Sequence, residues 1–416
     1  MNLSETQAHL EASRCLFCHD APCNQACPAG VDVAGFLRRV KTGNLLGADA
    51  LIRRDNVLSE VCGHLCPTEE LCASACCRSA LDQPIDIGGV QAYVARHSRV
   101  HGPIRPISAV GHGTREHVAV VGAGPAGLAA AKRLVELGYR VEVFDRNKLP
   151  GGLVTYAISS HKYDKDGLSF EIGLVEGAGV DFHLETEVED PLDLLEAFDA
   201  VVVAAGWGRP ATLGLEGEDL AHVYDAGTFL GCVCAWESDK SPTRLTLGDT
   251  LLVVGGGNTA IDCALSAKRQ GVGRVVVLYR RSLEEMPAWK PEIHRALDEG
   301  VEFEHLVQPI RFVGQGGRVT AVECIRMQLD GSDGSKRPTP IPVPDSQFLV
   351  EGDSVVVAVG YRGHRWIVDE PNGPIFWPAE VQVCQAMAKP AGTVVEAVAS
   401  GKSAADQVHN HLSEGT

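Results

Sequence analysis

Apolar positions in the first hundred residues recur at helical spacing and show little strand alternation. Val33 to Leu58 reads as short amphipathic helices, and the polar start, MNLSETQAHLEASRC, reads as helical too. A Pro- and Gly-containing passage, His101 to Gly113, reads as a linker. Beyond it the texture changes to continuous apolar runs punctuated by glycine. HVAVV (117–121) and TLLVV (250–254) have the length and β-branched content of buried strands. Each enters a glycine loop and a helix, ending near Leu137 and Gln270, and each is followed by a second strand, RVEVFD (140–145) or RVVVLY (274–279). DAVVVAAGWG (199–208) and DSVVVAVGYRG (353–363) are strand-like and mark two crossings between the modules. The expected class is α/β: a helical N-terminal domain over 1–112, followed by two Rossmann-like dinucleotide-binding domains. The second, 208–352, is inserted into the first, which takes 113–207 and 353–416.

A chain of 416 residues, 45% hydrophobic and 22% charged, has room for two or three domains with their own cores. Its net charge of −17 argues against nucleic acid and against an anionic membrane face as partners. The longest nearly apolar run, Val118 to Ala131, is too short and too rich in glycine to span a bilayer, and the polar start carries no signal-like apolar stretch. The expected location is the cytoplasm. In such a reducing compartment the fourteen cysteines are not expected to form disulfides.

The first glycine loop is Gly122-Ala123-Gly124-Pro125-Ala126-Gly127, and Asp145 closes the following strand eighteen residues past Gly127. A G-x-G-x-x-G alone is weak, but strand, helix and acid together make a dinucleotide fingerprint. Gly122 permits the tight turn, Gly124 lets backbone approach a pyrophosphate, and Gly127 lets helix pack on strand. Asp145 can hydrogen-bond a ribose diol and would repel a 2′-phosphate, which suits FAD or NAD. Gly151-Gly152-Leu153 follows and suggests backbone lying against a flat ring or a phosphate. The second loop is Gly255-Gly256-Gly257-Asn258-Thr259-Ala260, with alanine at the third glycine position. Its strand ends in Arg280-Arg281 rather than an acid, and guanidinium groups there can pair with a 2′-phosphate. NADPH is therefore favoured, with NADH open because arginine can also stack on adenine. Opposite charges at the two ribose positions imply two different dinucleotides, FAD in one site and a nicotinamide donor in the other.

Nine cysteines lie between Cys15 and Cys77, spaced Cys15-x2-Cys18-x4-Cys23-x3-Cys27-Pro and Cys62-x3-Cys66-Pro-x4-Cys72-x3-Cys76-Cys77. Two Cys-Pro pairs and a C-x2-C start are the ligand pattern of [4Fe–4S] clusters, in which the last cysteine of a run often serves the other cluster. Zinc held by Cys15, Cys18, Cys23 and Cys27 is the competing reading. The neighbouring nucleotide sites favour iron, since zinc carries no electrons. His409-x-His411 is the one metal-type histidine spacing and is read as surface in a fraying C-terminus.

CLFCHDAPCNQACPAGVDV, VCGHLCPTEELCASAC and PIDIGGVQAY, followed by VGAGPAGLAAAKRLVELGY and GGL, resemble the electron-input half of dihydropyrimidine dehydrogenase, which bacteria place on a separate subunit. The small subunit of glutamate synthase is a close relative, and the resemblance covers nearly the whole chain. It implies one cluster on Cys15, Cys18, Cys23 and Cys76, and another on Cys27, Cys66, Cys72 and Gln91, leaving Cys62 and Cys77 spare. Pyrimidine-reducing members carry glutamine at the position of Gln91, whereas glutamate synthase relatives usually carry glutamate. One residue is missing between Cys76 and this glutamine relative to the animal pattern. Lys162 stands where relatives place an arginine near the flavin. Relatives also end on a Gly-Gly-Asp loop that contacts the flavin chain. Here MAKPAG (387–392) runs straight into TVVEAVASGKSAADQV. FAD would then rest on Gly122, Gly124, Asp145 and the final helix N-terminus near Thr393.

The resemblance implies an oxidoreductase subunit that passes electrons from NAD(P)H through FAD and two [4Fe–4S] clusters to a partner subunit. Nothing in the chain resembles a pyrimidine-binding FMN barrel, so that active site would lie on the partner. Two alternatives stand beside this reading: an input subunit for glutamate synthase or another ferredoxin-linked reductase, and a non-catalytic relay or assembly subunit with impaired flavin binding. Hydride transfer between cofactors needs orientation rather than an acid–base pair, and no catalytic side chain is nominated.

Overall fold

The computed structural model describes residues 3–102, 116–207, 210–237, 245–331, 337–362, 366, 368–369, 373–374, 377–388 and 392–414. The expected linker at 101–113 lies almost wholly outside them, as does part of the 387–392 passage. The N-terminal part is helical: α1 (Glu5–Ser13), α2 (Pro22–Gln25), α3 (Val33–Lys41), α4 (Leu45–Asp55), α5 (Ser59–Leu65) and α6 (Ile87–His101). Three of these helices start the same way. Asp32, Asn44 and Asp86 each accept a hydrogen bond from the backbone N–H three residues on, at Gly35, Gly47 and Gly89, over 2.9, 2.9 and 2.8 Å. A Cβ on any of those glycines would strike the capping side chain at 2.1–2.5 Å. The helices close over Phe36, Leu37, Ile52, Leu58 and Val94, all nearly inaccessible to solvent.

The rest is parallel sheet with covering helices, as the apolar runs predict. β1 (His117–Val121), α7 (Pro125–Glu136), β2 (Arg140–Phe144), α8 (Leu153–Tyr156), α9 (Lys165–Glu176), β3 (Asp181–His183) and β4 (Ala200–Val203) build the first module. β5 (Val223–Asp225), α10 (Ala226–Glu237), β6 (Thr250–Val254), α11 (Asn258–Arg269), β7 (Arg274–Tyr279), α12 (Lys290–Asp298) and β8 (Glu302–His305) begin the second. There follow β9 (Val307–Gln315), β10 (Arg318–Asp330), β11 (Thr339–Glu351), β12 (Ser354–Val357), the small pair β13 (Val368–Asp369) and β14 (Gly373–Pro374), β15 (Val381–Val383), α13 (Gln385–Ala388) and α14 (Val394–Glu414). One sheet has the order β15-β4-β1-β2-β3 and the other β5-β12-β6-β7-β8, both parallel, while β9, β10 and β11 form an antiparallel meander. Strands buried on both faces explain why these segments read as unbroken apolar runs. The architecture is thus a helical N-terminal domain followed by Rossmann-like α/β domains.

Two compact units result: Met1–Thr155 with Ser160–Gly208 and Gly363–Thr416, and Tyr156–Ser159 with Arg209–Arg362. One expectation is corrected. The apolar run starting at 353 reads as the returning flavin segment, yet β12 pairs with β5 and β6 in the second sheet, so the return follows Arg362. Buried parallel strands of either sheet carry the same apolar signature, and local sequence does not say which sheet they join. The C-terminus is also more ordered than expected: α14 runs to Glu414, and His409 Nδ1 pairs with the Tyr139 hydroxyl at 2.9 Å. Among the described residues no helix is long and apolar enough to cross a membrane.

Within the first unit the helical head is fastened to the β1 module by buried charge. Glu171 of α9 is fully buried and accepts from the backbone N–H of Glu60 at 2.6 Å, from that of Val61 at 3.4 Å and from Arg53 Nη1 at 3.0 Å. Burial pushes its carboxyl up to about 7, against the pull of Arg53 and the Glu60 amide. Arg99 reaches both oxygens of Glu60 at 3.0 Å and Asp164 at 2.6 Å. Lys402 of α14 donates to the carbonyls of Ala29 at 2.8 Å and Asp55 at 3.0 Å. Removing one partner of such a buried pair costs about 3–5 kcal/mol, because the other charge is stranded.

Candidate functional site

The glycines of the first loop divide into those the fold requires and one it does not. Gly122 has φ +106°, and a Cβ there would lie 2.4 Å from the Ala204 carbonyl oxygen. A Cβ on Gly127 would lie 1.8 Å from the Gly122 carbonyl oxygen, so only glycine lets α7 sit this close to β1. Gly124 is extended, with φ −77° and ψ −176°, and the nearest atom its Cβ would meet is Gly152 Cα at 3.8 Å. Neither conformation nor a neighbour among the described residues calls for glycine at 124. The space a side chain would fill lies at the N-terminus of α7, where unpaired N–H groups favour an anion, and Pro125 fixes the first helical turn. That open cradle fits a pyrophosphate.

Around this loop the structure adds contacts that the sequence did not show. Gly151 N–H donates to the Ala123 carbonyl at 2.7 Å, and a Cβ on Gly152 would come within 2.9 Å of Gly124 Cα. The Gly-Gly pair therefore packs backbone to backbone on the glycine loop, while Leu153, which opens α8, is 48% exposed. Asp145 is buried and already engaged. Its Oδ2 accepts from Ala123 N–H at 2.7 Å, and its Oδ1 accepts from the backbone and side-chain nitrogens of Asn147 at 2.8 and 2.9 Å. A carboxylate offers about four acceptor positions, which leaves room for one ribose hydroxyl. Ala126 is buried under α14, where a Cβ on Gly401 would lie 1.9 Å from its carbonyl oxygen. Thr393 precedes α14, its Oγ1 accepting from Glu396 N–H at 3.3 Å and donating to Glu396 Oε2 at 2.6 Å. Lys162 is half-buried beside the buried Tyr163.

The second loop repeats this division. Gly255 has φ +144°, and a Cβ would lie 2.3 Å from the Ala358 carbonyl oxygen. Gly256 lies under the Tyr279 ring, which a Cβ would meet at 2.4 Å. Gly257, extended at φ −88° and ψ 175°, has nothing among the described residues within 4 Å of a Cβ and caps α11. The open position at the helix start is again the second G of the motif. Ala260 is fully buried and replaces the third glycine without conflict, Thr259 is half-buried, and Asn258 Oδ1 accepts from Trp289 N–H at 2.7 Å. Beyond β7, Arg280 is exposed, while Arg281 Nε donates to the Pro338 carbonyl at 3.0 Å. Arg337, which sequence spacing did not single out, donates to the Tyr279 hydroxyl at 2.8 Å. It adds a third guanidinium near this strand end.

In the helical head, Cys15, Cys18, Cys23 and Cys76 line one cavity together with Cys77. Cys77 is exposed and hydrogen-bonds to Cys18. Two non-glycine residues in this loop, Phe17 and Ala21, hold φ of +51° and +38°. Backbone strain of this kind persists where the surroundings enforce it, commonly at sites. Burial pushes the Cys23 thiol up to about 11, with Cys15 and Cys76 adding to the effect. The second group is more buried. Cys66 is raised well above its usual value by a hydrogen bond with Cys62 and by burial, with Cys72 and Cys27 close enough to contribute. Cys72 is pushed up to about 12 by burial, reinforced by Cys27 and Cys23. Thiols packed this closely ionise together only when positive charge compensates them, which is what iron supplies. Among the described residues no three His, Cys, Asp or Glu side chains converge as a single metal ion needs. Cys15, Cys18, Cys23 and Cys76 share the cavity, whereas Cys27 lies close to Cys66 and Cys72, which separates it from the other three members of the zinc set Cys15, Cys18, Cys23 and Cys27. Cys62, spare on the sequence reading, joins the second group. Gln91 is buried, with Nε2 donating to the Ser59 carbonyl at 2.8 Å.

Two pyrophosphate cradles on parallel sheets and a thiol-lined helical head define a nucleotide-dependent, electron-transferring oxidoreductase. Comparison with known proteins agrees. Residues 1–102 match the family model described as dihydropyrimidine dehydrogenase domain II, 4Fe-4S cluster, and residues 116–373 match pyridine nucleotide-disulphide oxidoreductase. The glutamate synthase [NADPH] small chain of Escherichia coli is 33% identical over 98% of this chain and 92% of its own length. The NAD-dependent dihydropyrimidine dehydrogenase subunit PreT of Salmonella typhimurium is 32% identical over 97% and 94%. Several other curated relatives are longer, and the chain spans between 51% and 60% of them. In fold, Mycobacterium tuberculosis FprA in complex with NADPH superposes with a TM-score of 0.63 at 20% identity, over 75% of this chain and 86% of that one. The chain belongs to the pyridine nucleotide-disulphide oxidoreductase family, in a form headed by a 4Fe–4S domain. It is an NAD(P)H-dependent flavin iron–sulfur oxidoreductase, with FAD, NAD(P)H and [4Fe–4S] iron as cofactors.

Proposed function

We propose that this chain is the NAD(P)H-oxidising subunit of a heteromeric dihydropyrimidine dehydrogenase, delivering electrons to a partner subunit that reduces the pyrimidine. The observation that carries the choice is Gln91, glutamine where glutamate synthase relatives usually have glutamate, set with its amide nitrogen anchored on Ser59. Bound FAD would take a hydride from the nicotinamide and release electrons one at a time to iron. The chain's own residues bind and orient. Gly122, Gly124, Gly127 and the α7 N-terminus receive the flavin nucleotide, Asp145 accepts from its ribose, and Gly152, Leu153, Lys162 and Thr393 border that site. Gly255, Gly257, Asn258, Thr259 and Ala260 receive the nicotinamide dinucleotide. Two clusters are held in the head, one by Cys15, Cys18, Cys23 and Cys76, the other by Cys27, Cys66 and Cys72 with Gln91 as the fourth ligand. The domain limits proposed for these roles are the helical head, the flavin module before Gly208 and after Arg362, and the nicotinamide module between.

Purified alone, the chain should reduce an artificial dye with NAD(P)H and leave uracil untouched. Uracil turnover without a second subunit would refute the reading. A glutamate synthase input role, consistent with the small chain's 33% identity over 98% of this chain, predicts copurification with a glutamate synthase large subunit instead.

Coenzyme choice has its own test. Arg281 is tethered through Nε to Pro338, whereas Arg280 is exposed and available to a 2′-phosphate. Charge-assisted hydrogen bonds of this type contribute about 1.5–3 kcal/mol. Arg280→Gln should therefore raise the KM for NADPH by about 10- to 100-fold and leave that for NADH nearly unchanged. Equal effects on both coenzymes would remove Arg280 from the phosphate site.

A further inference from the structure

We infer that Glu171 is a positioning residue for electron transfer between flavin and iron, an inference that rests on the flavin-to-cluster reading above. Glu171 belongs to α9 in the β1 module, is fully buried, and hydrogen-bonds neither to a glycine loop nor to a cysteine. Its carboxylate grips the first turn of α5 through the amides of Glu60 and Val61 and draws in Arg53 from the end of α4. α5 leads directly to Cys66, its C-cap. A second grip acts on the other run of cysteines: Lys402 of α14 holds the Ala29 carbonyl, two residues past Cys27. Both grips therefore act on segments that deliver ligands of the same cysteine group, and both originate from the module that carries the first glycine loop.

Around Glu171 further links join the same elements. Arg99 bridges Glu60 to Asp164, whose side chain is 44% exposed, and a Cβ on Gly167 would lie 2.7 Å from the Glu60 carboxyl carbon, so α9 and α5 approach as closely as glycine permits. Glu171 and Glu60 are both shut off from water, and Glu171 is the one that reaches from α9 to the α5 backbone, where a charged hydrogen bond holds its geometry firmly. Electron tunnelling falls steeply with separation, so a helix that slides on its support changes the rate before it changes the fold. Hydride transfer to the flavin depends on the dinucleotide cradles and does not pass through this contact.

The test is flash photoreduction of anaerobic holoprotein with 5-deazaflavin, following equilibration of the injected electron between clusters and flavin by their absorbance. Glu171→Ala should slow that equilibration by about 10-fold or more, as misplacement of reacting groups does. NAD(P)H should still bleach the flavin at the wild-type rate, and iron and FAD content should be unchanged. Glu171→Gln keeps an acceptor for the Glu60 amide, loses the charge paired with Arg53, and should fall between alanine and wild type. Should the alanine variant fail to fold, the glutamine variant decides: a several-fold slower equilibration at full loading supports the role. Wild-type equilibration in whichever variants load fully overturns it. A wild-type protein that binds no FAD, or shows no cluster signal, would instead bring down the functional reading and not the role of Glu171.

Discussion

Replacing Cys23 with serine should cost the protein about half of its iron, because on the proposed ligand set one cubane of two loses a thiolate. Cys23 shares its cavity with Cys15, Cys18 and Cys76, and burial together with those neighbours disfavours its charge in the absence of a cation. A serine there offers a harder, poorer ligand in a site built for soft thiolate donors. Cys77→Ser should retain full iron, since Cys77 is exposed at the cavity's edge, bonded to Cys18, and outside the proposed ligand set. Iron and acid-labile sulfide assays on the two variants, purified without oxygen, check this. Equal loss in both, or in neither, would mean that the cavity is not the cluster site.

The second large effect is expected at Gly127. Its absent side chain leaves the Gly122 carbonyl oxygen where a Cβ would sit at 1.8 Å, a contact with backbone on both sides that no rotamer relieves. Gly127→Ala must push α7 away from β1 or open the loop, at a cost of about 3 kcal/mol. The same displacement spoils the cradle at Gly124. The variant should lose FAD on gel filtration and melt several degrees lower, about 2–4 °C per kcal/mol for a protein of this size. Gly124→Ala is the informative contrast. It has room for a methyl group and a permissive backbone, so it should fold at wild-type stability and lose only flavin affinity. Measured together, flavin content and melting temperature separate a glycine kept for the fold from one kept for a ligand.

The two variants also mark how far the sequence could be read. The loops, flanking strands and helices were legible because the signal is local. β1, β6 and β7 begin and end where the apolar runs do. The sorting of glycines into structural and ligand-facing kinds was implied by the motif, and the open space at Gly124 and Gly257 supplies its physical basis. What failed to show was tertiary. Asp145 reads as a ribose acceptor, but three donors from Ala123 and Asn147 already hold it. β12 belongs to the second sheet although its sequence, SVVV, would suit either. Cys62 was set aside by position, yet folding places its thiol on that of Cys66. Glu171 left a partial trace, a charged residue on the apolar stripe formed by Leu168, Leu174 and Val175. Its partners lie more than a hundred residues earlier, and no periodicity points to them.

The account depends on electrons entering through a nucleotide-fed flavin and leaving through cysteine-held iron on one chain. The most direct measurement is the absorbance spectrum of the anaerobically purified chain, with iron and flavin quantified, before and after NAD(P)H. Flavin bands bleached by the coenzyme, over a broad iron–sulfur absorbance with about eight iron atoms per flavin, are predicted. A colourless protein, or one whose flavin is indifferent to both coenzymes, would contradict it.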